Sequence, residues 1–255
     1  VGMLGKEMDL LSRETTNIKK ETKKVIFTNN ITVDIKNFSY GDNDKFMIKD
    51  INLTINKGDK IGIIGPSGSG KSTIIEILLG ILKPQKGDVK IDGNIIYKIN
   101  NLKEMVGYIP QKIFILDDSL RNNILFGLKE DEYNDEKIIE IIKKTNLTGL
   151  LNRLENGLDS RLGERGLNLS GGEIQRIGIA RSLIYDPEII YLDEATSSLD
   201  TFTERAILDE LKSFDKKTFI SVAHRMGTLK NCDKIYLISK GKITDSGNFQ
   251  KFTNY

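Results

Sequence analysis

At 255 residues, with 38 Lys and Arg against 36 Asp and Glu, the chain has room for one large domain, or a core domain carrying a smaller insert. The near balance of charge gives no strong electrostatic reason to expect nucleic acid or an anionic membrane surface as its main partner. A single cysteine, Cys232, excludes an internal disulfide and is expected to be a plain packed thiol in a reducing compartment. No run of about 18 apolar residues is present to cross a membrane.

Residues 1–29 are mixed. Leu4, Met8 and Leu11 could form a short apolar helix face, and residues 13–24 are polar and Lys-rich. The stretch reads either as a linker arriving from something upstream or as a mobile surface tail, and it lacks the apolar core of a secretory signal. The folded part is expected from about residue 30. Alternation in residues 31–35 and 51–55 predicts two half-buried strands, with a turn at 41–44 between them. The continuous apolar run Ile61-Gly62-Ile63-Ile64 is that of a strand buried on both faces, which implies a parallel sheet covered on each side. Residues 106–109, 189–192, 219–222 and 235–238 are further buried-strand candidates. From about 112 to 187 the strand signal disappears, and Ile138, Ile139, Ile141 and Ile142 recur at helical spacing. That segment is expected to be a helical insert in an α/β core.

Three motifs carry chemistry. Gly65-Pro66-Ser67-Gly68-Ser69-Gly70-Lys71-Ser72-Thr73 matches G-x-x-x-x-G-K-[ST], directly after the buried strand and ahead of a helical pattern. Its glycines let the backbone wrap phosphates, and its N–H groups with the helix N-terminus supply positive potential. Lys71 neutralises the β- and γ-phosphates, and Ser72 is placed to ligate Mg²⁺. Asp193 and Glu194 end a buried strand at its carboxyl end, where open α/β sheets hold ligands. Asp193 is expected to hold Mg²⁺ through water, and Glu194 to polarise an attacking water. Third, Ser170-Gly171-Gly172-Glu173 reads as a capping box opening a helix that stops at Asp186-Pro187. Two glycines in a first turn weaken a helix, but they clear side chains from N–H groups that a phosphate oxygen can approach.

With Leu169-Ser170-Gly171-Gly172-Glu173 in that order behind the phosphate loop, the chain from about residue 31 resembles the nucleotide-binding domain of ABC transporters. The resemblance implies an α/β fold with a P-loop NTPase (RecA-like) parallel-sheet core, an antiparallel β subdomain and an inserted helical subdomain. It also implies an ATPase that uses ATP and Mg²⁺ and pairs head to tail with a second copy. In such a pair Ser170, Gly171 and Gly172 of one chain close over ATP held by the other. Tyr40 resembles the aromatic on which adenine stacks. Gln111 resembles the glutamine that senses Mg²⁺ and water, Asp200 a residue of the loop communicating across the pair, and His224 a histidine contacting the γ-phosphate.

One departure stands out, because the family usually has Gln where this chain has Glu173. A carboxylate there would repel the γ-phosphate and weaken pairing modestly unless it folds back on the Ser170 backbone. Gly163-Glu164-Arg165-Gly166 and the segment from Phe114 to Ile124 resemble those of exporters, notably flippases of lipid-linked oligosaccharides and polysaccharides. The resemblance therefore implies a transmembrane domain of the same polypeptide as partner, engaged through its coupling helices. An importer subunit, a non-transport ABC ATPase and a non-hydrolysing ATP-binding regulator are the alternatives. The expected place is the cytoplasmic face of the cell membrane in a longer protein, with this stretch soluble by itself.

Overall fold

The computed structural model describes residues 24–41, 47–128, 133–193, 206, 216–223 and 229–252. Alternation sets the first two strands, β1 (Asn30–Ser39) and β2 (Met47–Asn56). They pair antiparallel with Ile31 opposite Ile55, Val33 opposite Leu53 and Ile35 opposite Ile51, so all six apolar side chains share the buried face. Next, β3 (Lys60–Ile64) leads through the phosphate loop into helix α1 (Lys71–Leu78). The chain then returns to the first sheet as β4 (Lys86–Ile91) and the two-residue β5 (Asn94–Ile95), giving the order β2-β1-β4-β5. Packing begins ahead of position 30: Val25 and Phe27 are buried. Asn101 exchanges two hydrogen bonds with the Val25 backbone, and Asp92 accepts from the N–H groups of Thr28, Asn29 and Asn30. Burial alone would raise the Asp92 carboxyl, but those N–H groups hold it below the usual carboxylate range.

The second sheet has six strands. After the one-turn helix α2 (Leu102–Met105) comes β6 (Val106–Ile109). Four helices follow, α3 (Leu120–Ile124), α4 (Asp135–Lys144), α5 (Thr148–Arg153) and α6 (Gly171–Leu183). Then β7 (Ile189–Asp193), β8 (Thr218–Val222), β9 (Lys234–Ser239) and β10 (Lys242–Gly247) complete the order β10-β9-β3-β8-β7-β6. Strands β9, β3, β8, β7 and β6 run parallel, and β10 closes the edge antiparallel to β9. Between β6 and α6 the described residues form helices and loops, with one isolated bridge between Ser119 and Arg161. A parallel-sheet core with an antiparallel β sheet and inserted helices is the architecture that the resemblance implies.

Strand β7 explains why the sheet needs continuous apolar runs. Ile189 and Tyr191 point into a core shared with α1 and the first sheet, while Ile190 and Leu192 point into a second core built by α4 and α6. With period-two alternation, each strand buried on both faces feeds two cores at once. On the second face α6 packs so closely that a Cβ at Gly107 of β6 would come 2.7 Å from the Ser182 carbonyl oxygen, so only glycine fits there. No helix among the described residues is long and apolar enough to cross a membrane.

Candidate nucleotide site

Parallel pairing gathers the chemical motifs on one edge of the second sheet. Asp193 pairs with Val222, and Val222 pairs with Ile63, so Asp193 stands in one row with the residue two before the phosphate loop. Two strand spacings, about 10 Å, separate those backbones. Gln111 follows β6, the neighbour of β7, two residues past its last strand residue, at the same edge. The loop that leads to Lys71 leaves the carboxyl end of β3, and Asp193 and Gln111 stand at or just past the carboxyl ends of β7 and β6, with β8 between β3 and β7. The expected residues Glu194, Asp200 and His224 lie outside the described residues.

The loop itself has the form of an anion cradle. Gly65 adopts φ 149°, and a Cβ there would lie 2.0 Å from the Ile238 carbonyl oxygen, so the backbone passes where no side chain fits. Gly68 and Gly70 are also left-handed. Gly70 is the N-cap of α1 and, having no side chain, gives that helix start no capping hydrogen bond. Lys71 is buried, 5% exposed, and its Nζ donates to the carbonyl oxygens of Gly65 (3.0 Å) and Pro66 (3.1 Å). A buried ammonium held by the loop's own carbonyls is poised to exchange them for phosphate oxygens. Ser69 Oγ is buried with no hydrogen-bond partner among the described residues, an orphan that a phosphate oxygen or a water would satisfy. Pro66, Ser67 and Ser72 are exposed on the loop and Thr73 is buried behind it.

Tyr40 lies directly over this helix start. Its hydroxyl shares a hydrogen bond with Thr73 Oγ1 (3.0 Å) and donates to Glu76 Oε2 (3.0 Å), while its ring sits edge-on to Phe38, centroids 5.0 Å apart. Burial, with the Glu76 carboxylate adding to it, raises the phenol above its ordinary value. Tyr40 as a whole remains 56% exposed, so a flat ligand beside the loop can reach it. Thr73, one of the loop residues already expected at the site, and Glu76 stand at i and i+3 of α1 and face the same way, but nothing in the sequence pointed from either of them to Tyr40. Sequence reasoning also assigned no role to Tyr108, whose hydroxyl reaches Asp193 Oδ2 at 3.4 Å. Burial first, then the Asp193 charge, pushes that phenol up to about 12, so it stays a proton donor beside the carboxylate.

The donor set suits Mg²⁺ rather than a metal caged by protein. Among the described residues no three His, Cys, Asp or Glu side chains converge on one point. A carboxylate at the end of β7 and a hydroxyl at Ser72 make the partial set typical of an ion that keeps waters and phosphate oxygens as ligands.

The run Ser170 to Glu173 is elsewhere. Ser170 caps α6: its Oγ accepts from the Glu173 N–H (3.3 Å), and Glu173 Oε2 accepts from the Ser170 N–H (2.8 Å) and Oγ (3.1 Å). The carboxylate is therefore folded back on the Ser170 backbone, the arrangement that lessens its repulsion of a phosphate. Helix α6 buries Ile177, Ile179, Ala180 and Leu183 in the second core, whereas α1 buries Ile74, Ile75, Ile77 and Leu78 in the first. The phosphate-loop helix and the Ser170 helix accordingly pack on opposite faces of the sheet, and Ser170, Gly171 and Gly172 are not brought to the loop residues.

Residues 114–124 divide. Ile115, Leu120 and Ile124 are core, but Phe114 and the nearby Phe126 are 62% and 53% exposed. Arg181 of α6 pins this segment, donating to the carbonyl oxygens of Phe114 and Asn123 and to Asn123 Oδ1, with its guanidinium 5.0 Å from the Phe126 ring centre. A cavity of about 380 Å³ opens here, lined by Lys103, Tyr108, Ile113, Phe114, Phe126 and Arg181.

Comparison with known proteins places these features. The sequence profile of the family described as ABC transporter matches residues 48–197. An ATP-dependent lipid A-core flippase of Pectobacterium atrosepticum is 39% identical over 217 residues, covering 83% of this chain and 37% of that protein. The mitochondrial iron-sulfur clusters transporter ATM1 of Saccharomyces cerevisiae is 35% identical over 245 residues, covering 93% of this chain and 35% of that protein. A solved bacterial Atm1-family ABC exporter with ATP bound superposes with a TM-score of 0.82 at 31% identity, over 97% of this chain and 45% of that one. The chain thus spans less than half the length of these relatives.

Proposed function

Because the chain belongs to the ABC transporter family, we propose that it is the ATP-binding and ATP-hydrolysing domain of an exporter or flippase, driving transport by pairing with and releasing a second nucleotide-binding domain. One observation carries the reading: the uncapped phosphate loop and the capped, glycine-cleared helix start belong to opposite faces of one sheet. Each is then half of a site, completed by the other half in a second copy. ATP rests with its adenine on Tyr40 and its phosphates along Gly65 to Thr73, where Lys71 offsets their charge. Ser72, Asp193 and Gln111 are the residues that hold Mg²⁺ and its waters; when bound, the ion neutralises phosphate charge. Ser170, Gly171 and Gly172 of a second copy close over the γ-phosphate. Glu194 and His224, which contacts the γ-phosphate, orient the water that attacks it, Glu194 accepts that water's proton, and Asp200 links the two sites. The products are ADP and phosphate.

Relatives named as flippase and transporter favour the exporter class. The cavity beside Phe114 and Phe126 is suited to receive an intracellular coupling helix of a membrane domain, with Arg181 tying that surface to the Ser170 helix. In the longer polypeptide that domain places this one at the cytoplasmic face of the membrane. The purified chain is expected to release phosphate from ATP only with Mg²⁺, losing turnover when EDTA is added and regaining it with excess metal. ATP binding with no phosphate release at any chain concentration would identify a non-hydrolysing regulator instead.

A further inference from the structure

We infer that Arg153 is a positioning residue for the paired ATP site, neutralising Glu173 so that an acidic side chain can stand at the helix start that meets an anionic phosphate. The inference rests on the reading of Ser170 to Gly172 as the segment that closes over ATP. Arg153 is the last residue of α5, twenty positions before Glu173, and its Nη2 donates to Glu173 Oε1 at 2.9 Å. The other carboxylate oxygen is held by the Ser170 N–H and hydroxyl, so both oxygens of Glu173 are engaged. The Glu173 side chain is 17% exposed and that of Arg153 58%, which sets the carboxylate against the helix and the guanidinium on its water-facing side.

The chemistry follows from these two oxygens. An acid at the third helical position favours the helix itself, because it answers the positive end of the dipole. It opposes a phosphate for the same reason, since it cancels the potential that would attract the anion. It also competes for the Ser170 hydroxyl proton, which a phosphate oxygen needs as a donor. Arg153 counters both effects: it restores a positive charge beside the helix start and draws charge toward Oε1, away from the oxygen that holds the hydroxyl. Because Arg153 is largely exposed, the ion pair adds little to folding stability, and its effect on the site is separable from any effect on the fold.

The test is a double-mutant cycle in the Glu194→Gln chain, reading by light scattering the ATP concentration that half-converts monomer to dimer. Arg153→Gln is expected to raise that concentration about fivefold, since two sites each lose one charge near a helix terminus. Glu173→Gln is expected to lower it about twofold, as Arg153 is left uncompensated beside the phosphate. The double variant returns close to the parent, and Arg153→Lys lies between parent and Arg153→Gln. The differences should shrink as salt rises from about 0.1 to 1 M, where the screening length falls from about 10 to 3 Å. An Arg153→Gln chain with the parent's ATP requirement, or a defect that Glu173→Gln does not relieve, overturns the role of Arg153 alone. A parent that never dimerises with ATP overturns the split site, and this role with it.

Discussion

Lys71→Ala is expected to cut ATP turnover at least about thirtyfold, and to do so by loss of nucleotide affinity with the fold intact. The ammonium is buried and donates to the carbonyl oxygens of Gly65 and Pro66 in its own loop, which are weak partners for a desolvated charge. Phosphate oxygens are better ones, and removing one member of such a charge pair costs about 2–5 kcal/mol. The fold should survive because the truncation deletes a buried charge rather than an apolar contact, and the loop is held independently by the Gly241 N–H on the Ser69 carbonyl (3.0 Å). A fluorescent ATP analogue titrated into variant and parent, alongside their melting curves, separates the two effects. Equal affinity in both would mean that the loop does not hold the phosphates through Lys71.

Glu194→Gln should leave ATP binding almost unchanged, lower phosphate release by about two to four orders of magnitude, and leave the pair closed on unhydrolysed ATP. Gln has nearly the shape of Glu and cannot take a proton, so only the step that consumes the proton is removed. A neighbouring group argues against Asp193 as the alternative base. Asp193 lies at the end of β7, where its Oδ2 accepts from the Tyr108 phenol (3.4 Å), itself pushed up to about 12, so one carboxylate oxygen is already engaged by a proton donor. Single-turnover phosphate release after rapid mixing with Mg²⁺ and ATP measures the step directly. Near-parent release in Glu194→Gln would move the base elsewhere.

How far the residues announce this structure depends on which force sets each part. Strands buried on both faces, such as Ile189 to Leu192, are plain in the sequence because two cores demand apolar residues at every position. Strands β4 and β10 escaped notice for the opposite reason. In β4 only Val89 and Ile91 are buried among Lys, Gly and Asp, and β10 is an edge strand with no fully buried residue. Their positions are set by backbone pairing to neighbours already placed, which leaves little trace in side-chain pattern. The motif residues were legible because each spacing is local: the loop, the capping box and the acidic strand end are single short runs. Contacts between distant runs were not. Nothing periodic links Tyr40 to Glu76, Arg153 to Glu173, or Asp92 to the backbone of Thr28 to Asn30, since only the fold brings them together.

Placement of the loop helix and the Ser170 helix on opposite faces of one sheet has a kinetic consequence. A chain that cannot close its own site should turn over ATP only as a pair, so its specific rate must depend on how often two chains meet. Phosphate release per chain, measured with saturating Mg²⁺ and ATP across a wide dilution series, tests this most directly. The split site predicts a specific rate that rises with chain concentration and levels off once pairs predominate. A specific rate that stays constant down to concentrations where light scattering finds only monomer would contradict it.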